Sequence, residues 1–335
     1  MKVIITGATG FIGSSLVVEL LKRGWDSKNL VLLQRSIPEF KSTLIFERLE
    51  AEGLGALGDS LQFAQIDFAD PNEFQAQLER LTVDEGSVVV HLAAMIHAKG
   101  DQFELQKRIN IGVTKDLANF CENKNIAFVY LSSVVAFGGT CKNEIRTEDS
   151  FSSFEWANQL FPYYATKREI HKTLVSRAQL KGAILCPSIV HGAFENRKDS
   201  RGHIKALLAG RLSWAPPGGG NIVGLDRVVN ALVENVEKKH SKLSTQLLVD
   251  ENVMFKDYFQ QIVNLSRHKS NVVKALPRPL VVLIFFCYLP FAKFWKPSAL
   301  LGLFQGSLFL FFKSNFKQSD SKGAYESLKD AYLER

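Results

Sequence analysis

The fold is decided by the first residues of the chain, MKVIITGATGFIG (residues 1–13). A short β-branched run leads into glycines spaced three residues apart, and an apolar pattern of helical period follows. Gly7 permits a tight turn, Gly10 lets the backbone approach a phosphate because it has no Cβ, and Gly13 lets the helix pack closely on the strand. The start of the helix adds free N–H groups and a positive dipole end. This pattern predicts a strand, turn and helix that bind the pyrophosphate of a dinucleotide.

A second motif, YYATK (residues 163–167), carries residues suited to proton transfer. Tyr163 and Lys167 are four residues apart, so both side chains lie on one face of a helix. An ammonium beside a phenol stabilises the phenolate, which lets the tyrosine act as an acid or base nearer neutral pH. Ser133 follows an apolar strand and offers a hydroxyl to the same substrate oxygen. Each residue alone has a structural interpretation, but the three together behind a dinucleotide fold predict a catalytic site.

These motifs resemble those of the extended short-chain dehydrogenase/reductase family, also called the NAD-dependent epimerase/dehydratase family, over about the first 235 residues. TGATGFIG (residues 6–13) matches the family's cofactor fingerprint, and Ser133, Tyr163 and Lys167 match its catalytic serine, tyrosine and lysine. No metal site is implied. The cofactor contacts that the resemblance implies are Gly7, Gly10, Phe11, Ile12, Gly13, Arg35, Ser36, Asp67, Phe68, Leu92, Ala93, Ala94, Asn110, Tyr163, Lys167 and Pro187.

Further segments carry the same resemblance. Asp67 resembles the aspartate that meets the adenine ring, HLAA (residues 91–94) resembles the strand end beneath the nicotinamide, and Asn110 resembles the family's structural asparagine. The segment LCPSIVHG (residues 185–192) resembles the family's RPxxVYG, but a cysteine replaces the arginine and a histidine replaces the tyrosine. This loop therefore departs from the family's pattern in two of its contacts.

The choice of cofactor depends on the end of the second strand, LLQRS (residues 32–36). A carboxylate at this place would bind the ribose hydroxyls of NAD and repel the phosphate of NADP. None is present; instead Arg35 can pair with a 2′-phosphate and Ser36 adds a hydroxyl donor. The sequence therefore predicts NADP, with NAD as the alternative if Arg35 is only a surface residue.

Strands and helices alternate along the chain, which predicts an α/β fold with a Rossmann-type doubly wound parallel sheet and a smaller, mostly helical C-terminal substrate domain. We expect residues 1–186 and 222–249 in the NAD(P)-binding domain, and residues 187–221 and 250–335 in the substrate domain. The predicted strands are Lys2–Ile5, Leu30–Leu33, Leu61–Ile66, Ser87–Leu92, Ala127–Leu131 and Lys181–Leu185. The predicted helices are Ile12–Arg23, Pro71–Arg80, Asn110–Glu122 and Tyr163–Gln179.

The net charge of +7 is concentrated in one segment. Between Tyr258 and Ser319 there is no Asp or Glu, but there are eight Lys or Arg. Two apolar runs, 279–292 and 298–312, lie within it, and each is shorter than the roughly 20 residues of a spanning helix. Basic flanks with short apolar helices favour contact with a membrane surface through 279–317; the alternative is that the runs form the core of the substrate domain. Nucleic-acid binding is excluded, because it needs a solvated basic stripe.

Composition fixes the expected compartment. Hydrophobic residues make up 46% and charged residues 22% of the chain, as in ordinary globular proteins. Four cysteines without paired spacing indicate reduced thiols and no metal site. A first strand at residue 2 leaves no room for a signal peptide. We therefore expect a cytoplasmic protein, on the cytoplasmic face of the membrane if the apolar segment docks there. The resemblance implies a homodimer built from the helices around Asn110 and Tyr163.

Several reactions are open to such a site. Val134 and Val135 stand where the dehydratase branch of the family carries an Asp-Glu pair, so loss of water is not expected. The resemblance to bacterial nucleotide-sugar enzymes favours a nucleotide-linked substrate and an NADPH-dependent 4-keto-sugar reductase with Tyr163 as the acid. The alternative is a nucleotide-sugar 4-epimerase that retains NAD, as in UDP-glucose 4-epimerase. Further alternatives are a reductase of an apolar, steroid- or flavonoid-like ketone and a non-catalytic cofactor-binding protein, which the complete catalytic set disfavours.

Overall fold

The chain folds around a parallel β-sheet covered by helices on both faces. The computed structural model describes residues 1–37, 39–96, 102–152, 160–195, 202–268, 270–288, 290, 298–315 and 323–332. The described strands β1 to β12 span Val3–Thr6, Leu30–Gln34, Gln62–Gln65, Val88–His91, Ala127–Leu131, Gly182–Pro187, Ile189–His191, Trp214–Ala215, Gly219–Gly224, Leu243–Leu248, Glu251–Met254 and Lys274–Ala275. The described helices α1 to α12 span Phe11–Lys22, Leu44–Ala51, Pro71–Glu79, Phe103–Lys107, Thr114–Lys124, Pro162–Val175, Gly202–Leu208, Leu225–Glu237, Phe255–Asn264, Arg278–Tyr288, Ser298–Gln305 and Ala324–Tyr332.

The main sheet has seven described strands in the order β10-β6-β5-β4-β1-β2-β3, and every neighbouring pair is parallel. The order reverses between β1 and β4, so a crevice for a ligand forms beyond the carboxyl ends of these strands. The Rossmann-type α/β fold that the sequence predicts is confirmed. All six predicted strands are present as β1 to β6, with ends that differ by one or two residues.

The strands at the centre of the sheet are buried on both faces, which explains their continuous apolar sequences. In β1, Ile4 packs into one core cluster while Val3 and Ile5 pack into another on the opposite face. In β4, Val89 packs into the first of these clusters, while Val88 and Val90 pack into the second. The alternation of side chains along a strand therefore places a packed layer on each side of the sheet.

Two smaller sheets lie after β6. Strand β9 pairs with β7 in parallel and with β11 in antiparallel register, and β8 pairs with β12. A third core cluster joins α7, α9 and α12 to these strands through residues such as Leu207, Tyr258 and Leu328. The division into a cofactor domain and a substrate domain stays a prediction.

The second apolar run near the C-terminus is only partly helical. Helix α11 ends at Gln305, and the chain then continues as an extended segment whose Phe309 and Phe312 form bridges with Thr140 and Arg146. The prediction of a helix over the whole run is wrong, because the backbone of this segment bonds to neighbouring strands and loops instead of to itself.

Two predicted helices also differ in extent. Helix α6 ends at Val175 and not at Gln179, since the chain turns at Ser176 to bring Leu180 into the core. The predicted helix that starts at Asn110 begins instead within a π-helical turn, Arg108–Val113, and continues as α5. Such turns widen the helix locally and often occur at functional sites.

Candidate active site

The glycine turn after β1 has the geometry that its sequence predicts. Gly7 has a positive φ of 71°, and a Cβ there would lie 2.8 Å from the backbone nitrogen of Ala93. A Cβ on Gly13 would overlap the carbonyl oxygen of Gly7, so the helix could not pack this closely on the strand. At Gly10, by contrast, a Cβ would meet only that same carbonyl oxygen, at 3.2 Å. The open side of Gly10 can therefore admit a phosphate.

Helix α1 begins beside this opening. Its N-cap residue, Gly10, has no side chain that could accept a hydrogen bond from the N–H groups of the first turn. Such a terminus favours an anion. The residues present therefore fit the pyrophosphate of a dinucleotide.

The end of β2 contains a polar residue that sequence reasoning missed. The Oε1 atom of Gln34 accepts a hydrogen bond from the hydroxyl of Thr9 in the glycine turn, at 3.2 Å. Its Nε2 atom is buried and has no hydrogen-bond partner among the described residues. Arg35 and Ser36, the residues predicted to read the cofactor, follow it and are exposed. The position of Gln34 in the sequence could have identified it, because it is the last residue of β2 and lies beside the glycine turn.

The predicted adenine contacts lie after β3. The backbone N–H of Asp67 donates to Oε1 of Gln77 at 2.8 Å, and its carboxylate accepts from the N–H of Ala69 at 2.7 Å. Phe68 packs against Phe74 with ring centroids 5.7 Å apart. Both predicted residues are thus held in fixed orientations at the carboxyl edge of the sheet.

The loop after β4 is fixed by Asn110. Its side-chain amide accepts from the N–H of Met95 at 2.8 Å and donates to the carbonyl of the same residue at 2.9 Å. It also donates to the hydroxyl of Thr166 at 3.2 Å, and that hydroxyl donates to the carbonyl of Tyr163 at 3.0 Å. Asn110 therefore connects the predicted nicotinamide loop, which includes Leu92, Ala93 and Ala94, to the first turn of α6.

His91 is a structural residue of this loop. It is fully buried, with Nδ1 2.7 Å from the hydroxyl of Thr6 and Nε2 3.0 Å from that of Thr114. Burial, together with the charge of Lys167, lowers the pKa of His91 to about 3. A neutral ring held between two hydroxyls fixes the end of β4 and leaves no proton to transfer near pH 7.

The three predicted catalytic residues come from two neighbouring elements. Ser133 follows β5; its hydroxyl donates to the carbonyl of Pro187 at 3.3 Å and accepts from the N–H of Val135 at 3.4 Å. Tyr163 and Lys167 lie on α6, with the Lys167 Nζ atom 5.8 Å from the centroid of the Tyr163 ring. Tyr163 is half-buried, so its phenol can reach both a ligand and the core.

Lys167 is held by an unexpected partner, Tyr130 on β5. Its Nζ atom donates to the Tyr130 hydroxyl at 2.9 Å and to the carbonyl of Leu131 at 3.0 Å. Burial lowers the pKa of Lys167 from its ordinary value of 10.5 to about 7, while burial raises that of Tyr130. A lysine with this pKa changes charge close to neutral pH, and Tyr163 is its neighbour on the same helix.

The departures from the family's RPxxVYG segment are accommodated in the core. His191 is fully buried, with Nδ1 2.9 Å from a carboxylate oxygen of Glu195 and Nε2 3.0 Å from the Tyr258 hydroxyl. Cys186 is also buried, with its sulfur 3.9 Å from Nδ1 of His171. Both replacement side chains therefore have polar neighbours within the protein.

Comparison with known proteins confirms the family. The model of the NAD dependent epimerase/dehydratase family matches residues 3–218, and the chain belongs to this family of NAD-dependent enzymes. The resemblance that the motifs predict is therefore confirmed.

The individual relatives are distant. Vestitone reductase of Medicago sativa is 25% identical over 54% of this chain and 52% of its own length. ADP-L-glycero-D-manno-heptose-6-epimerase of Alkalilimnicola ehrlichii is 29% identical over 44% of this chain and 40% of its own. The matched part thus spans about half the length of these curated relatives or less. The solved structure of MoeE5 in complex with UDP-glucose and NAD has a TM-score of 0.66 and 19% identity, covering all of this chain and 98% of that one; it shows the fold.

Proposed function

We propose that the chain is an NADPH-dependent reductase of a nucleotide-linked 4-keto sugar. The observation that carries this proposal is that Lys167 lies buried beside Tyr163, at the strand ends where the glycine turn provides a dinucleotide cradle. Ser133 lies on the adjoining strand end. An acid, its charged neighbour and a hydroxyl donor at one place are suited to the reduction of a carbonyl group.

Each residue then has one task. When bound, the nicotinamide cofactor supplies a hydride to the carbonyl carbon of the substrate. Tyr163 donates its phenolic proton to the substrate oxygen, and Ser133 donates a hydrogen bond to the same oxygen. Lys167 stabilises the phenolate that remains, as long as its own amine is protonated. Val134 and Val135, just after Ser133, cannot act as acid or base, so the reaction stops at the alcohol.

NADP is the proposed cofactor because Gln34, Arg35 and Ser36 at the end of β2 include no carboxylate that would repel its phosphate. Gln34 occupies the strand end without a negative charge, and its buried Nε2 atom is a donor that still needs an acceptor. Arg35 and Ser36 are exposed and can meet a 2′-phosphate.

A nucleotide-sugar 4-epimerase with retained NAD is the second candidate. The same tyrosine would first accept and then return the hydroxyl proton while the cofactor stays bound. The similarity to a heptose epimerase and to MoeE5, which was solved with UDP-glucose and NAD, supports this alternative. Both candidates use the same site and the same fold. They differ in the cofactor, which is NADPH that leaves after each turnover in the reductase and NAD that stays bound in the epimerase.

A reductase of an apolar ketone is the third candidate. The similarity to vestitone reductase supports it. So does an apolar cavity of about 220 Å³, which is lined by Phe161, Val281, Phe285, Phe304 and Leu308. Phe161 directly precedes α6, the helix that carries Tyr163.

The experiment is to purify the protein without added cofactor, denature it and identify any nucleotide that is released. We expect an empty protein that subsequently binds NADPH in preference to NADH. Stoichiometric NAD⁺ would instead mean that the cofactor is retained between turnovers, which is the behaviour of an epimerase.

Two properties complete the proposal. We infer a homodimer in which α5 and α6 of two copies pack together, as the family resemblance implies. We also infer a cytoplasmic location, where nucleotide sugars and reduced thiols occur together. The contact with a membrane that the sequence suggests rests on different observations.

A further inference from the structure

Helix α10 is apolar on the side that faces solvent as well as on the side that faces the core. On the inner side, Val281 and Tyr288 are buried, and the Phe285 ring lies 4.5 Å from that of Phe304, centroid to centroid. On the outer side, the side chains are 45% to 63% exposed at Leu280, Val282, Leu283 and Phe286. A helix on the surface of a globular protein normally presents polar residues outward, so this face is unusual.

The exposed apolar surface continues beyond the helix. Strand β12 leads directly into α10, and it pairs with β8, whose Trp214 is 47% exposed. Val272, just before β12, is 65% exposed. Several exposed apolar side chains on consecutive elements, unlike a single exposed residue, mark a place of interaction. We call α10 with Trp214 and Val272 the apolar face.

The segment of the chain that contains α10 carries charges of one sign only. No acidic residue occurs between Tyr258 and Ser319. Among the described residues of that segment, Arg267, Lys274 and Lys313 are exposed. Lys274 lies with its Nζ atom 5.9 Å from the centroid of the Trp214 ring. Tryptophan and lysine together at the edge of an apolar surface are typical of the boundary between lipid chains and headgroups.

The length of the helix limits how it can meet a bilayer. Helix α10 has 11 residues, whereas a spanning helix needs roughly 20. In the part of the chain that the structure describes, no helix is long and apolar enough to cross a membrane. A short helix with apolar side chains outward and cations beside it can instead lie along the surface.

We propose that the apolar face docks on an anionic lipid bilayer, with Leu283 and Phe286 inserted below the headgroups and the neighbouring Lys and Arg residues paired with lipid phosphates. The cations select anionic lipids, and the apolar side chains supply attachment that salt does not screen. This proposal goes beyond the enzymatic function and does not depend on it, because it rests on the exposed side chains of α10 and not on Ser133, Tyr163 or Lys167.

The test is flotation of the full chain with two kinds of vesicle, phosphatidylcholine alone and phosphatidylcholine mixed with phosphatidylglycerol. We expect the protein to float with the anionic vesicles and to float less at high salt. The double variant Leu283→Glu/Phe286→Glu should lose about tenfold or more of the bound fraction. A matched control is Leu57→Glu, which charges a leucine that is 41% exposed between α2 and β3; it should bind as the wild type does.

Circular dichroism and the urea midpoint establish that both variants are folded. Failure of the wild type to float, or equal flotation of the double variant, would overturn the proposal. The proposal would also be overturned if the wild type formed a dimer without binding vesicles and the double substitution dissociated that dimer. A second copy of the chain would then cover the apolar face. Since the assay contains no nucleotide, none of these results bears on the proposed reductase.

Discussion

Lys167 is the residue whose environment constrains the chemistry most. It is buried at the end of β5, and its Nζ atom donates to two neutral oxygens, the hydroxyl of Tyr130 and the carbonyl of Leu131. Desolvation without a carboxylate partner explains why its pKa falls to about 7. In the proposed mechanism the charged form stabilises the Tyr163 phenolate, so we expect the activity to depend on pH in the neutral range.

We predict that kcat/KM for reduction falls as the pH rises through about 7, the pKa of Lys167. Above that pH the amine is neutral and no longer stabilises the phenolate. Measured profiles should show this transition in the wild type, whereas Lys167→Met should be slower by about 10² or more and show no transition there. A wild-type profile that stays flat through neutral pH would contradict the assignment.

The same variant has a stability readout. The folded pKa of Lys167 lies below the unfolded value, so the unfolded state binds more protons between about pH 7 and 10.5. The contribution of Lys167 to stability therefore becomes more favourable as the pH rises through that window. Urea unfolding should find Lys167→Met more stable than the wild type at pH 7, by about 1–2 kcal/mol, and the difference should shrink at higher pH.

At the scale of elements, sequence predicts most reliably where a local pattern is complete. Strands β1 to β6 and the glycine turn follow from β-branched runs and glycine spacing. Strand β10 was not predicted, because Leu243–Leu248 is partly polar and half-buried at the sheet edge. The π-helical turn at Asn110 was not predictable either, since it depends on the contact with Met95 in another loop.

The end of β2 carries a prediction of its own. Arg35→Asp should weaken NADPH binding by about 10- to 100-fold while NADH binding changes little, because a carboxylate repels the 2′-phosphate and suits a ribose hydroxyl. Binding titrations with both nucleotides measure it. Lys28→Asp is the matched control, since it reverses an exposed charge before the other end of the same strand and should alter neither affinity. Equal losses for both nucleotides in Arg35→Asp would show that Arg35 does not read the phosphate.

At the scale of the whole molecule, the site is assembled from residues far apart in the chain. Sequence reasoning identified Ser133, Tyr163 and Lys167 individually by motif, and the fold brings their elements together. It could not identify Tyr130 as the partner of Lys167, because that contact requires β5 to lie under α6. Nor could it predict that His191 would bond to Tyr258, since the two residues meet only through tertiary packing.

The C-terminal region has a buried apolar side and an exposed apolar side, which sequence patterns alone could not separate. Phe304, Leu308 and Phe312 belong to the same core cluster as residues of β5 and α6, so they pack against the main sheet and not within the third cluster. The outer side of α10 remains exposed, as the membrane interpretation expects. The side chains on the inner and outer faces of α10 are equally apolar, so only the fold distinguishes one face from the other.

The central claim, reduction with Tyr163 as the acid, is tested most directly by following NADPH consumption with a nucleotide-linked 4-keto sugar. We predict that the wild type oxidises one NADPH per alcohol formed. Tyr163→Phe should bind NADPH normally but turn over about 10²–10⁴ times more slowly. Tyr164→Phe, which alters the buried neighbouring phenol, should stay close to the wild-type rate. Undiminished turnover in Tyr163→Phe, or inversion of the sugar without net NADPH consumption, would contradict the account.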